Sequence, residues 1–424
     1  MISLLADSGA SMPVWSVLPF LGLLLSIAVI PLVREHWWHE NHHKAIVSLL
    51  FGVPVAVYVA FRDPGALAHA GLEYVAFVCL LGSLYIISGG VRLRGSLPGT
   101  PASNAALLAF GAVLANVTGT TGAAMLLLRP YLHANRQRKN KVHLVVFFIL
   151  VVANCGGCLT PLGDPPLFMG FLKGVPFTWT LALWKEWLVV CGCLVAVFYF
   201  FDRARHRADG APLNPRDPVA LEGGANLGLL AAVVGAILAG GFWVKPRWGE
   251  TAAQVFQSAL MAGFAGLSRL TTPRARREAN EFSWHPLMEV LVLFVGIFAA
   301  MIPALSVLRE HGAALGLARP AAFLWVTGGL SACLDNAPTY VAFLSMAQYL
   351  PDEVAGTTQA ALAAISCGAV FFGALTYIGN GPNFIVKAAA EHAGVRMPSF
   401  FGYMAWAAAL LLPVLGVVTL LFFR

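Results

Sequence analysis

Charge is what this sequence has least of. Only 11% of its 424 residues are Asp, Glu, Lys or Arg, against 58% hydrophobic ones, and the mean hydropathy is +0.76. Soluble domains carry about 25% charged residues, so a soluble multi-domain enzyme is excluded at the outset. The first dozen positions hold Asp7 but no Lys or Arg. The positive n-region of a cleavable signal peptide is therefore absent, and the first span is expected to be retained. Cysteine is sparse too, and all seven (Cys79, Cys155, Cys158, Cys191, Cys193, Cys333 and Cys367) fall within apolar stretches. A thiol there packs as a small hydrophobe, and no disulfide framework is implied. Cys155 and Cys158 form a CxxC without the soluble context or second pair that a redox or zinc site requires.

What remains is a polytopic membrane protein. The net charge of +7 resides in short basic runs between apolar stretches, which marks loops on one side of a bilayer and not a nucleic-acid partner. Ten stretches are long enough to cross a hydrocarbon core about 30 Å thick. They lie near residues 17–33, 45–61, 73–90, 142–173, 181–201, 226–244, 252–270, 287–308, 358–392 and 402–423.

Two further apolar regions are interrupted. Residues 103–132 are broken at Asn116 to Gly122, and residues 320–350 at Asp335 to Thr339. Each arm has about 12 residues and reaches roughly 18 Å, too short to span, so both regions are expected to be re-entrant helical hairpins. Basic loops flank the first hairpin on one side, as that geometry demands. Under this assignment 19 of the 27 Lys and Arg face the cytoplasm. The positive-inside rule then places both termini outside, in the periplasm of a bacterial inner membrane.

The halves repeat each other. Leu162-Gly163-Asp164-Pro165-Pro166 aligns with Ile378-Gly379-Asn380-Gly381-Pro382 at an offset of 216, which also aligns Glu73 with Glu289. The hairpin tips align less strictly, with Asn116 opposite Asn336. Each half has five spans and one hairpin, and an odd number makes the repeat inverted. The expected fold is an all-α, inverted-repeat secondary transporter with two re-entrant hairpins and two broken helices (142–173 and 358–392). Residues 1–202 form the first repeat, 203–225 a cytoplasmic linker and 226–424 the second repeat.

Such transporters bind substrate and coupling ions at discontinuous helices near the bilayer midplane. The four breaks here carry nearly all the intramembrane Asn, Thr and Asp. A first site would draw on Asn116, Thr118, Thr121, Asn154, Thr160 and Asp164, and a second on Asp335, Asn336, Thr339, Thr376, Asn380 and Asn383. An Asp at the membrane centre costs about 2.5 to 3.5 kcal/mol, so Asp164 and Asp335 need a role. Helix capping is one, since each precedes proline in a first helical turn. A sodium site is the other, because hard cations take oxygen ligands, and a carboxyl group out of water can trade a proton for a cation. The competing reading is an organic carboxylate carried with sodium, held at helix N-termini. No Lys or Arg lies in the breaks to assist it.

Four motifs in this order, Asn116-Val117-Thr118-Gly119-Thr120-Thr121-Gly122, Thr160-Pro161-Leu162-Gly163-Asp164, Leu334-Asp335-Asn336-Ala337-Pro338-Thr339 and Tyr377-Ile378-Gly379-Asn380-Gly381-Pro382-Asn383, resemble those of the ion transporter superfamily. The chain is most similar to NhaD-type sodium/proton antiporters and their citrate-transporter-like relatives. The resemblance implies that the named residues surround the ion and substrate sites, with Na+ as transported or coupling ion and no other cofactor. It departs from NhaD-type proteins in having Asn116 without an adjacent Asp, and Pro165-Pro166 after the Gly-Asp. Sodium/proton antiport is therefore the first reading and sodium-coupled citrate or other di- or tricarboxylate transport the alternative, with arsenite export third. Relatives are often homodimers, and the Trp-rich first spans would supply an interface.

Other signals are weaker. The His36 to His43 cluster reads as an interfacial aromatic belt or a pH sensor, and His39 with His43 would make a metal pair only on one continuous helix. Glu73 and Glu289 are expected to be exposed at span ends, and Lys387 with Glu391 to form an i, i+4 pair. An intramembrane aspartyl protease is disfavoured by the inverted repeat and by Leu334, not Tyr, preceding Asp335. The reading is of a transporter and not an enzyme.

Overall fold

The computed structural model describes residues 12–96, 98–209, 217–280 and 282–424. Residues 1–11 and part of the expected linker (210–216) lie outside the described residues. Among the described residues seventeen α-helices are connected in the order α1 (Leu18–Val33), α2 (Glu35–His39), α3 (Asn41–Arg62), α4 (Pro64–Ser88), α5 (Pro101–Ala134), α6 (Val142–Val151), α7 (Pro165–Leu172) and α8 (Trp184–Asp209) in the first half. The second half holds α9 (Gly224–Ala239), α10 (Lys245–Thr271), α11 (Arg274–Ala279), α12 (His285–His311), α13 (Pro320–Cys333), α14 (Asn336–Met346), α15 (Gln359–Phe372), α16 (Gly381–His392) and α17 (Phe400–Phe422). Two short strands, β1 (Arg92–Ser96) and β2 (Asp217–Glu222), pair antiparallel and join the α4–α5 connection to the α8–α9 connection. The segment read as a linker thus begins as the last turns of α8 and ends as β2.

Among the described residues nine helices are long and apolar enough to cross a membrane. One of them, α5, folds back on itself. At Gly119 the backbone takes φ 76° and ψ 156°, outside any helical region and in a region that a Cβ disfavours. Asn104 and Asn135, 31 residues apart in sequence, exchange two side-chain hydrogen bonds of 2.9 Å, which a straight helix rising 1.5 Å per residue forbids. The expected first hairpin is therefore present. The second is α13 with α14, closed at its base by the Tyr349 hydroxyl donating to the Leu317 carbonyl. A third turn, near Gly249 (φ 84°), folds α9 and α10 side by side, so that Asn226 meets Ser268 and Thr272. The pairs α6–α7 and α15–α16 are each interrupted, at residues 152–164 and 373–380.

The helices sort into two packed units. In one, α3 and α4 of the first half lie against α12 and α10 of the second, with α1 and α9 beside them. Polar seams hold this unit: the Ser48 hydroxyl donates to the Leu293 carbonyl (3.2 Å), Tyr74 donates to the Leu291 carbonyl (2.8 Å), and Lys44 pairs with Glu289 (2.8 Å). The other unit contains both hairpins, both broken helices, α8 and α17. At its centre α6 is apolar on every side, and His143 to Val151 are all buried, as a helix hydrophobic all round must be.

One expectation fails. Glu73 is not exposed: it is 1% accessible and receives the Lys173 ammonium at 2.7 Å on both oxygens, with His69 at 3.2 Å. Its position within α4, two turns in from Pro64, puts it below the surface, and a carboxylate there requires a partner. The His cluster spans two helices, because Glu40 is extended (φ −83°, ψ 126°) and separates α2 from α3, so the one continuous helix a His39–His43 metal pair requires is not there. His43 instead stacks on Trp37 at 4.2 Å and contacts its carbonyl at 2.8 Å, an aromatic arrangement suited to the interface. Lys387 and Glu391 pair at 3.0 Å, as their spacing predicts.

Candidate functional site

All four breaks meet at Asp164. This residue stands before Pro165-Pro166, where proline opens α7 because an N-terminal turn needs no N–H at those positions. Its side chain makes no capping bond to α7. Instead Oδ1 accepts from the Thr120 hydroxyl and the Asn380 amide, each at 2.9 Å, and Oδ2 accepts from the Asn336 amide at 2.7 Å. Thr120 begins the second arm of α5, Asn336 begins α14 and Asn380 immediately precedes α16. Four helix N-termini therefore converge on one carboxylate, each contributing partial positive charge. Asp164 is 1% exposed. Among the described residues no Lys or Arg pairs with it.

A second layer of amides fixes the donors. Asn380 also donates to Asn154 (3.1 Å), Asn154 donates to Asn383 (2.6 Å), and Asn383 donates to the Gly373 and Thr376 carbonyls at 2.8 Å each. Asn154 belongs to the first break and Asn380 and Asn383 to the second. The two crossings are therefore bonded directly to each other, not arranged as two separate sites. Of the two six-residue groups read from sequence, the structure merges Asn154 and Asp164 from one with Asn336, Asn380 and Asn383 from the other.

The remaining candidates brace backbone. Asn116 donates to the Gly156 carbonyl (2.7 Å) and accepts from Leu159 N–H (2.8 Å), fastening the first hairpin to the turn at Cys155–Leu159. Thr160 donates to the Asn116 carbonyl, and Thr376 to the Ala332 carbonyl, both at 2.5 Å. Thr118 bonds within its own arm, to the Leu114 carbonyl (3.2 Å), and Thr121 is half-buried beside it. Asp335 does cap: its Oδ1 accepts from Ala337 N–H at 3.1 Å, while Thr339 donates to its carbonyl at 2.8 Å.

Thr120 is the contact the sequence reading omits. The signal for it was available, because the offset of 216 that aligns Asp164 with Asn380 also aligns Thr120 with Asn336 and Thr160 with Thr376. The matched hydrogen bonds of Thr160 and Thr376 follow that register. The pairing of Asn116 with Asn336 is thus corrected: Asn116 corresponds to Ala332. Close backbone approach repeats as well. A Cβ on Gly157 would sit 2.8 Å from the Gly163 carbonyl oxygen, and one on Gly379 2.7 Å from that of Gly373. Each crossing therefore excludes any side chain at that glycine.

The fold defines an all-α polytopic membrane protein. More specifically, residues 9–423 match the model of the family described as "Putative citrate transport", and the chain belongs to that family. No curated protein matches the sequence.

Proposed function

We propose that this protein is a cation-coupled secondary transporter that exchanges sodium, or lithium, for protons, with Asp164 as the exchanging group. One observation carries the reading: a buried carboxylate at the junction of both repeats is held by three neutral donors and by no basic side chain among the described residues. A charge in that position needs either a proton or a cation to balance it. Competition between the two for one carboxylate is a sufficient antiport mechanism. Asn154, Asn380, Asn336 and Thr120 position the carboxylate and offer neutral oxygens to a hard cation when the amides turn. The transport cycle would move the hairpin-bearing unit against the other. The distribution of basic loops supports a bacterial inner-membrane location with both termini periplasmic.

A second reading is supported by the four converging helix N-termini and by membership of a citrate transport family. Unpaired N–H groups at such ends suit a carboxylate substrate, and a bound sodium would offset the charge of Asp164. The test is dye-reported proton movement in proteoliposomes on adding sodium or lithium between pH 6.5 and 9, alongside sodium-dependent uptake of labelled citrate. Cation-dependent proton movement that is absent in Asp164→Asn supports antiport. Citrate uptake without proton movement on cation addition replaces antiport with sodium-coupled carboxylate transport.

A further inference from the structure

We infer that the Glu73–Lys173 ion pair is a latch between the two packed units, closed in this structure and broken when the unit carrying Asp164 moves. The inference rests on the transporter reading. Lys173 immediately follows α7, the eight-residue helix whose other end is Asp164. Glu73 lies on α4, in the opposite unit. The ammonium sits 2.7 Å from both carboxylate oxygens, and among the described residues it is the one ion pair between the helix-bearing parts of the two units; the other pairs are local or internal to one unit, apart from Arg92 and Arg94 with Glu222, which join β1 to β2.

Stability does not account for it. Desolvating two charges consumes most of what their attraction returns, so a well-packed apolar pair would serve a permanent contact as well or better. A pair that must open needs partners that water can take over, and Lys173 is 23% exposed in its side chain. The surroundings leave room for movement. Leu172 and Gly174, on either side of Lys173, line a cleft of about 260 Å³ whose far wall is Ile237, Lys245 and Gln254 of the other unit. Because α7 is short and stiff, about 12 Å long, a displacement at its Asp164 end is delivered to Lys173. The basic-loop face has a weaker counterpart: Arg129 of the first hairpin donates to the Ala279 carbonyl at 2.7 Å.

The latch can be tested without knowing the substrate. Gln254→Cys, buried in the cleft wall, serves as reporter after Cys79, Cys193 and Cys333 are replaced by Ser, and its labelling by a membrane-impermeant maleimide is timed in vesicles. Lys173→Met and Glu73→Gln are each expected to accelerate labelling at least about fivefold by shifting the closed–open equilibrium. The exchanged pair Glu73→Lys with Lys173→Glu is expected to return it to the starting rate, and Lys173→Arg to leave it unchanged. Unchanged labelling in both single variants overturns the latch. Faster labelling that the exchanged pair does not reverse also overturns it, because local unfolding then explains the exposure. Loss of the antiport reading would leave the labelling result intact.

Discussion

The two repeats place the aspartates of their breaks at non-equivalent positions. In the first, the hairpin tip is neutral, Gly119-Thr120, and the crossing carries Asp164. In the second, the tip carries Asp335-Asn336 and the crossing is neutral at Asn380. Backbone symmetry is kept: Thr160 and Thr376 make the same 2.5 Å bond, 216 residues apart. The chemistry is not. Asp335 occupies the place of Gly119 and spends its Oδ1 on the first turn of α14, whereas Asp164 ignores its own helix and is held by the other three breaks. A doubled backbone thus builds one acidic centre and one cap, not two equivalent acidic sites.

The largest expected effect separates those roles directly. Asp164→Asn should lower cation-dependent flux in proteoliposomes by at least about 100-fold, close to 2.7 kcal/mol, because the only charge held by the four breaks together is removed. The variant should remain folded by size-exclusion chromatography, since losing an unbalanced buried charge relieves a cost. Asp335→Asn should retain most flux, because Asn caps as well as Asp. Equal loss in both variants would restore two equivalent acidic sites and undo the comparison.

The sequence made the architecture legible, and part of the centre. Spans, hairpins and broken helices follow from apolar length and from Gly, Pro and Asn interruptions, which are local signals. Asp164 and Asp335 stood out because charge in a membrane is costly. Which carboxylate faces which break was not readable, because Asn336 and Asp164 are 172 residues apart and meet only once both repeats are folded. Glu73 was misread for the same reason: its partner Lys173 lies 100 residues away. Thr120 was legible through the 216-residue offset, but the Asn at 116 drew the alignment four residues aside.

A smaller effect sharpens the role of that residue. Thr120→Val preserves shape and removes one donor to Asp164 Oδ1, leaving Asn380 on the same oxygen. A hydrogen bond to a charged group contributes about 1.5 to 3 kcal/mol, so the sodium concentration for half-maximal flux should change by roughly 10-fold or more. Thr120→Ser, which keeps the hydroxyl, should stay near wild type. An unaltered sodium dependence in Thr120→Val would mean that the first hairpin tip orients nothing at the carboxylate.

The smallest effect concerns the cap. Asp335→Ala deletes the acceptor for Ala337 N–H at the start of α14, and loss of an N-cap costs about 1 kcal/mol. The same substitution should therefore lower thermal stability in detergent by a few degrees, with Asp335→Asn recovering nearly all of it. Asp164→Ala offers the contrast, because no N–H of α7 depends on that side chain. Its cost instead falls on the buried donors that lose this acceptor, Thr120 and Asn336 foremost, since Asn380 keeps Asn154, and should shrink when those are made apolar in the same variant. If Asp164→Ala behaved as a simple cap deletion, insensitive to the three donors, the convergence of the four breaks on that carboxylate would have no energetic weight.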